Sequence, residues 1–152
     1  MAFYYAPLPG TVLICRFPPP GSAPPGEMVK TRPVIVVSRR LKGRPGLVSI
    51  VPVSMTPPRE PAGWHVRVPA DEMPPGWRDR EGDRWAKCDM AMVVSLERLS
   101  HARAHASRTA QGILTRVSEK TLSEIRTALA YVFELDACRC EGACTLDAQQ
   151  LD

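Results

Sequence analysis

The stretch KTRPVIVVSRRLKGRPGLVSIVPVS, Lys30 to Ser54, decides the fold. Two runs rich in β-branched residues flank a basic connection dense in Gly and Pro, which is the pattern of two strands and a loop. Val34 to Val37 is continuously apolar and Leu47 to Val53 nearly so. Runs of this kind predict strands buried on both faces of a small barrel or sandwich. Each run carries a polar residue at its edge. Arg32 stands just before the first, pushed toward an extended conformation by Pro33, and Ser54 ends the second. If the strands are neighbours, a guanidinium and a hydroxyl meet at one end of the sheet, a pair suited to a phosphate.

On the N-terminal side, Thr11 to Phe17 reads as a first strand ending at Pro18. The adjoining PPPGSAPPGE reads as an exposed loop, because its prolines remove donors and its glycines free the backbone. Glu27 closes that loop, either pairing with and orienting Arg32 or standing as a solvated charge. On the C-terminal side, MTPPREPAG is a second loop and Trp64 to Val68 a short strand. Residues 69–84 are loop-like, and Trp85 to Met92 begins a strand expected to continue through Val93 and Val94. Leu96 to Leu99 is a turn of helix or a tight bend. Ser100 to Arg116 is Ala-rich without a dominant period. Ser118 is placed to cap a helix running to about Leu135, with Leu122, Ile125, Leu129 and Val132 on one face and Tyr131 and Phe133 widening it.

A length of 152 residues suits one domain, and 44% hydrophobic with 24% charged residues argues against both disorder and a membrane protein. The anomaly is 16 prolines, concentrated in Pro7 to Pro25, Pro52 to Pro61 and Pro69 to Pro75, which imply stiffened loops between short strands. No apolar stretch has transmembrane length and MAFYYAPLPG lacks a signal-peptide pattern, so a cytoplasmic protein with no membrane partner is expected. Five cysteines are an odd number, and Cys15 and Cys88 stand alone in strand-like segments, so reduced thiols are expected. The net charge of +4 suits either a polyanionic partner or simple solvation.

From Gly10 to about Leu135 the ordered pieces resemble the PemK/MazF family of toxins from bacterial type II toxin-antitoxin systems. These pieces are a first strand ending in an aromatic, then GEMVKTRPVIVVS, IVPVS, KCDM, the ERL turn and a terminal amphipathic helix. The resemblance implies a mainly β fold with a C-terminal helix, a small, partly open β-barrel of Src-homology-3-like type. It implies a toxin domain, set at residues 1–136, while the small and polar composition of residues 137–152 reads as a flexible Cys-containing tail. It also implies a homodimer, metal-independent cleavage of single-stranded RNA and a cognate antitoxin, with no cofactor. The family's catalytic arginine falls on Arg32, its loop glutamate on Glu27 and its catalytic threonine on Ser54. Serine keeps the hydroxyl and loses the methyl, so hydrogen bonding to phosphate survives. Thr56 ranks second as the source of that hydroxyl.

Other residues support paired readings. His65 has the pKa range of a general base, yet its place inside WHVRV suits a structural role. His101 and His105 would meet only on a helix. Cys138, Cys140 and Cys144 form a C-x-C-x3-C cluster without a second ligand arm, so no metal is assigned. Arg39, Arg40, Lys42 and Arg44 suit RNA backbone or a solvated hairpin tip. Trp64, Trp77 and Trp85 suit core packing or base stacking, and Trp77, in PPGWRDREGDR, is the expected exposed one.

Together these features point to an endoribonuclease toxin. A toxin of the same barrel type that binds a protein target, as the CcdB group binds DNA gyrase, is the alternative. An inactive RNA-binding barrel is the third. Because the tail lacks a second ligand arm, truncation after Leu135 is expected to leave folding unchanged. Stoichiometric zinc, lost together with thermal stability on truncation, would show the opposite.

Overall fold

A computed structural model describes residues 6–102 and 114–135. Its central strand is β3 (Leu47–Ser54), flanked by β2 (Thr31–Val36), to which it runs antiparallel with Val34 opposite Pro52 and Val36 opposite Ile50. β1 (Thr11–Arg16) adds to the other side of β2, and the short β7 (Leu99–Ser100) and β8 (Thr115–Arg116) both pair with β1. On its far side β3 has two partners in succession. Its first half pairs with β6 (Met92–Ser95), and its end pairs with β5 (Arg84–Lys87), which in turn carries β4 (His65–Val68). The result is a mainly β, curled antiparallel half-barrel with one C-terminal helix.

The continuous apolar runs have the expected cause. Ile35, Val51 and Val53 pack with the helix side of the sheet, whereas Val34, Val36, Val48 and Ile50 belong to a second cluster with Leu13, Phe17 and Leu99. Alternate residues of β2 and β3 thus enter different cores, so neither face is left polar.

Two strand expectations change. Arg32 does not stand ahead of its strand but lies within it, because β1 supplies a partner for it in Cys15. The single strand expected from Trp85 to Val94 is two strands separated by a 3₁₀ turn at Cys88–Met90. Leu47 faces Ser95, and an unbroken register would set Val53 against Asp89; Val53 faces Ala86 instead. The turn takes up that difference, with Ala91 N–H donating to the Cys88 carbonyl.

The helix α1 (Glu119–Val132) begins as the sequence requires: the Ser118 hydroxyl accepts the Thr121 N–H at 3.2 Å. Leu122, Ile125 and Ala128 are buried against the sheet. Tyr131 and Phe133 do not widen that face and are 65% and 56% exposed. Tyr131 lies nine residues from Leu122, about 180° around the helix, and Phe133 comes after its last turn.

Substituting Ser118→Ala is expected to lower stability by about 1 kcal/mol. Ile125→Ala, which empties a fully buried position, is expected to lower it by about 2–5 kcal/mol. Urea denaturation checks both, and a larger loss at Ser118 than at Ile125 would contradict this account of how the helix is held.

Candidate phosphate-binding site

Pro33 opens the sheet at the site. Val37 N–H donates to the Ser49 carbonyl at 3.0 Å, which makes residues 37 and 49 a hydrogen-bonded pair. The alternation of an antiparallel ladder then makes 35/51 and 33/53 hydrogen-bonded pairs in turn, and 34/52 a non-bonded one. Pro33 has no N–H to give Val53, and the β2–β3 pairing stops at Val34. Pro52 directs its missing donor to the other side, where β3 is exchanging β6 for β5. Both prolines therefore sit where a central sheet tolerates them.

Just beyond the last pair, Arg32 and Ser54 fall opposite one another on the same face. Arg32 Nη1 lies 3.4 Å from the Ser54 hydroxyl, a long hydrogen bond, and its Nε donates to the Val29 carbonyl at 2.7 Å. Of the five N–H groups of a guanidinium, two are thereby engaged and the remainder are available to a ligand. Ser54 is 5% exposed and its Oγ also accepts the Thr56 N–H at 3.1 Å. Its own proton remains for donation.

Arg32 lines a concavity of about 380 Å³ with Lys30, Thr31, Val53, Met55, Thr56, Trp77 and Arg80. The wall holds three cations and no carboxylate, so the lining favours an anion. No sequence motif marks Lys30 for this site, and its backbone explains its place. Its φ of 69° is left-handed, unusual for a residue with a β-carbon, and its N–H is tied to the Pro18 carbonyl at 2.9 Å. That bend sets the chain entering β2 directly against the site.

The opposite wall is held by Arg84, which no motif marks either. This 6% exposed side chain has no carboxylate partner among the described residues. Its guanidinium donates to the carbonyls of Trp77 and Arg78, at 2.9 and 2.8 Å, and to those of Arg80 and Gly82. Carbonyl dipoles thus compensate a buried charge and fix the loop that carries Trp77. The adjacent Trp85 pairs with Ser54 across the β3–β5 ladder, so loop and site share one anchoring point.

Of the candidate residues read from the sequence, Arg32, Ser54, Thr56 and Trp77 come together; the others stand apart. Glu27 is exposed and lines a separate depression of about 480 Å³ with Phe17, Asp89 and Arg98. Arg32 takes its orientation from Val29 instead. Arg39, Arg40, Lys42 and Arg44 are exposed on the connection at the opposite end of the β2–β3 hairpin. At about 3.3 Å per residue, Arg32 and the start of that connection are roughly 17 Å apart. Trp77 is half-buried rather than freely exposed. His65 lies outside the Arg32 concavity, and His105, Cys138, Cys140 and Cys144 lie outside the described residues. Among the described residues no group of three His, Cys, Asp or Glu is placed to hold a metal ion, and no helix is long and apolar enough to cross a membrane. Burial pushes the Cys15 thiol up against the opposing pull of Arg98 and Arg16, and burial with Asp89 pushes Cys88 up to about 12. Both thiols are inert at neutral pH.

The arrangement defines a small half-barrel protein with a cation-bearing notch at an open sheet end. Residues 8–133 match the family of PemK-like, MazF-like toxins of type II toxin-antitoxin systems, and the chain belongs to that family. It is 30% identical over 120 residues to the uncharacterised protein YifN of Escherichia coli (strain K12), spanning 69% of this chain and 79% of that one. MazF from Deinococcus radiodurans shares the fold with a TM-score of 0.61 at 19% identity, covering 86% of this chain and 99% of the other. An endoribonuclease in complex with its cognate antitoxin, from a mycobacterial species, gives a TM-score of 0.53 at 22% identity, covering 86% and 98%.

His65 has a structural place. Its Nδ1 accepts the Ala62 N–H at 3.2 Å, and its Nε2 is 4.0 Å from Asp89. Burial and then the Lys87 charge lower its pKa, outweighing Asp89. The unfolded chain therefore takes up this proton first as pH falls. The stability is complete above the ordinary histidine value of about 6.5 and declines as pH drops toward the lower folded value. Melting temperatures between pH 7 and 5 are expected to fall less steeply in His65→Gln than in the native chain. An unchanged slope would assign the acid sensitivity to other groups.

Proposed function

We propose that this protein is a toxin endoribonuclease that cuts single-stranded RNA without a metal ion. It acts in the cytoplasm as a homodimer and is restrained by a cognate antitoxin. The observation that carries this reading is the Arg32 guanidinium set against the Ser54 hydroxyl at a notch whose charged lining residues are all cations. In such cleavage the ribose 2′-oxygen attacks the adjacent phosphorus and loses its proton. The bond to the 5′-oxygen breaks, and that oxygen is protonated. The products are a 2′,3′-cyclic phosphate and a 5′-hydroxyl end.

Negative charge grows on the non-bridging phosphate oxygens, and preorganised donors directed at them lower the barrier. The unengaged N–H groups of Arg32 and the Ser54 hydroxyl fit that task, with Thr56 as a second hydroxyl on the wall. The role of Arg32 is electrostatic. Glu27, where the resemblance places the family's loop glutamate, supports the reaction from the separate depression that it lines. Arg39, Arg40, Lys42 and Arg44 contact RNA backbone farther along the strand, while Trp77 contributes beside the notch. The antitoxin assignment is supported by family membership and by the mycobacterial relative's complex with its cognate antitoxin. A purely protein-binding toxin has no need of the Arg32–Ser54 contact.

Cleavage of a defined single-stranded RNA in EDTA tests the reading. Arg32→Ala and Ser54→Ala are each expected to slow it by about 100- to 1000-fold with unchanged circular dichroism, and Thr56→Val to slow it less. Cleavage at the native rate by a folded Arg32 or Ser54 variant would remove these residues from the chemistry. Absence of cleavage by the native chain would favour a protein target.

A further inference from the structure

Trp77 and Arg80 form a stack on the wall of the notch. The indole packs against the helix-side core, and the Arg80 guanidinium lies over its ring, 4.2 Å from the centroid. Arg80 Nε donates to the Gly76 carbonyl at 2.9 Å, which limits the group's rotation, and Arg84 binds the carbonyls of both residues. The side chain is exposed. A planar cation is therefore held over an aromatic ring within the same concavity as Arg32.

We infer that Arg80, backed by Trp77, is the stacking platform for an unpaired RNA base next to the phosphate held at Arg32. This rests on the RNA-cleaving function proposed above. A guanidinium plane offers a flat face on which a base can stack whatever its identity. The indole behind supplies cation–π attraction that keeps the plane oriented when no RNA is bound. Lysine at this position would preserve the charge and lose the plane. Arg80 is thus a nucleotide-positioning residue, and its contribution depends on a base being present opposite it.

That dependence gives the test. The probe is a labelled single-stranded RNA with 2′-O-methyl groups that block cleavage, together with versions lacking one base at successive positions. Binding is measured by fluorescence anisotropy at several salt concentrations. With the native chain, loss of one particular base is expected to weaken binding about 10-fold. In Arg80→Lys that penalty is expected to fall to near 1-fold, with the salt dependence retained. In Arg80→Ala the penalty is lost and the salt dependence shallower. Native chain that binds RNA without any base-specific penalty, or a penalty unchanged in Arg80→Lys, overturns the platform while leaving RNA binding in place. Failure of the native chain to bind RNA at all overturns both it and the function on which it rests.

Discussion

The missing N–H of Pro33 is the constraint on which the site depends. An unbroken β2–β3 ladder would continue through Val53 and bring the backbones of Arg32 and Ser54 into regular pairing. The ladder instead ends at Val34, and the two side chains meet at the opened end with a 3.4 Å contact. By register, 32/54 is the next position of the non-hydrogen-bonded kind, so the two side chains share one face. A guanidinium and a hydroxyl are thereby set side by side, steadied by the Val29 carbonyl and the Thr56 N–H just outside the strands.

The partner exchange along β3 supplies the second half of the site. β6 leaves after Ile50, Pro52 occupies the gap, and β5 arrives at Val53. The arrival of β5 brings Trp85 opposite Ser54 and Arg84 beneath the preceding loop. Arg84 holds that loop through its carbonyls, and within the loop the Asp79 carboxylate accepts the Gly76 N–H at 3.4 Å.

Family membership and the half-barrel account for the scaffold, while the cationic lining gives this chain its local character. Lys30, Arg32 and Arg80 reach one concavity from the entry to β2, from within it and from the loop before β5. Serine stands where the resemblance places a threonine. Its hydroxyl is fixed by the Thr56 N–H, so the interaction with backbone substitutes for the rotamer restriction that a β-branch would impose.

Local chemistry and periodicity are the features that the sequence by itself determined. The doubly buried strands could be read from the β-branched runs after Arg32 and before Ser54, and the helix from Ser118 and the Leu122, Ile125 pattern. The pairing of Arg32 with Ser54 was legible because it needs only that adjacent strands be neighbours. The break at Cys88–Met90 was not, since WAKCDMAMVV has no Gly or Pro and the turn answers a register difference imposed by β3 from outside the segment. The outward face of Tyr131 depended on where the sheet lay around the helix. Only the tertiary structure gathered Lys30, Trp77, Arg80 and Arg84 about the site and left Glu27 and the Arg39 to Arg44 connection apart. Those distances are set by the end of one ladder and the start of another, and no spacing along a single chain records them.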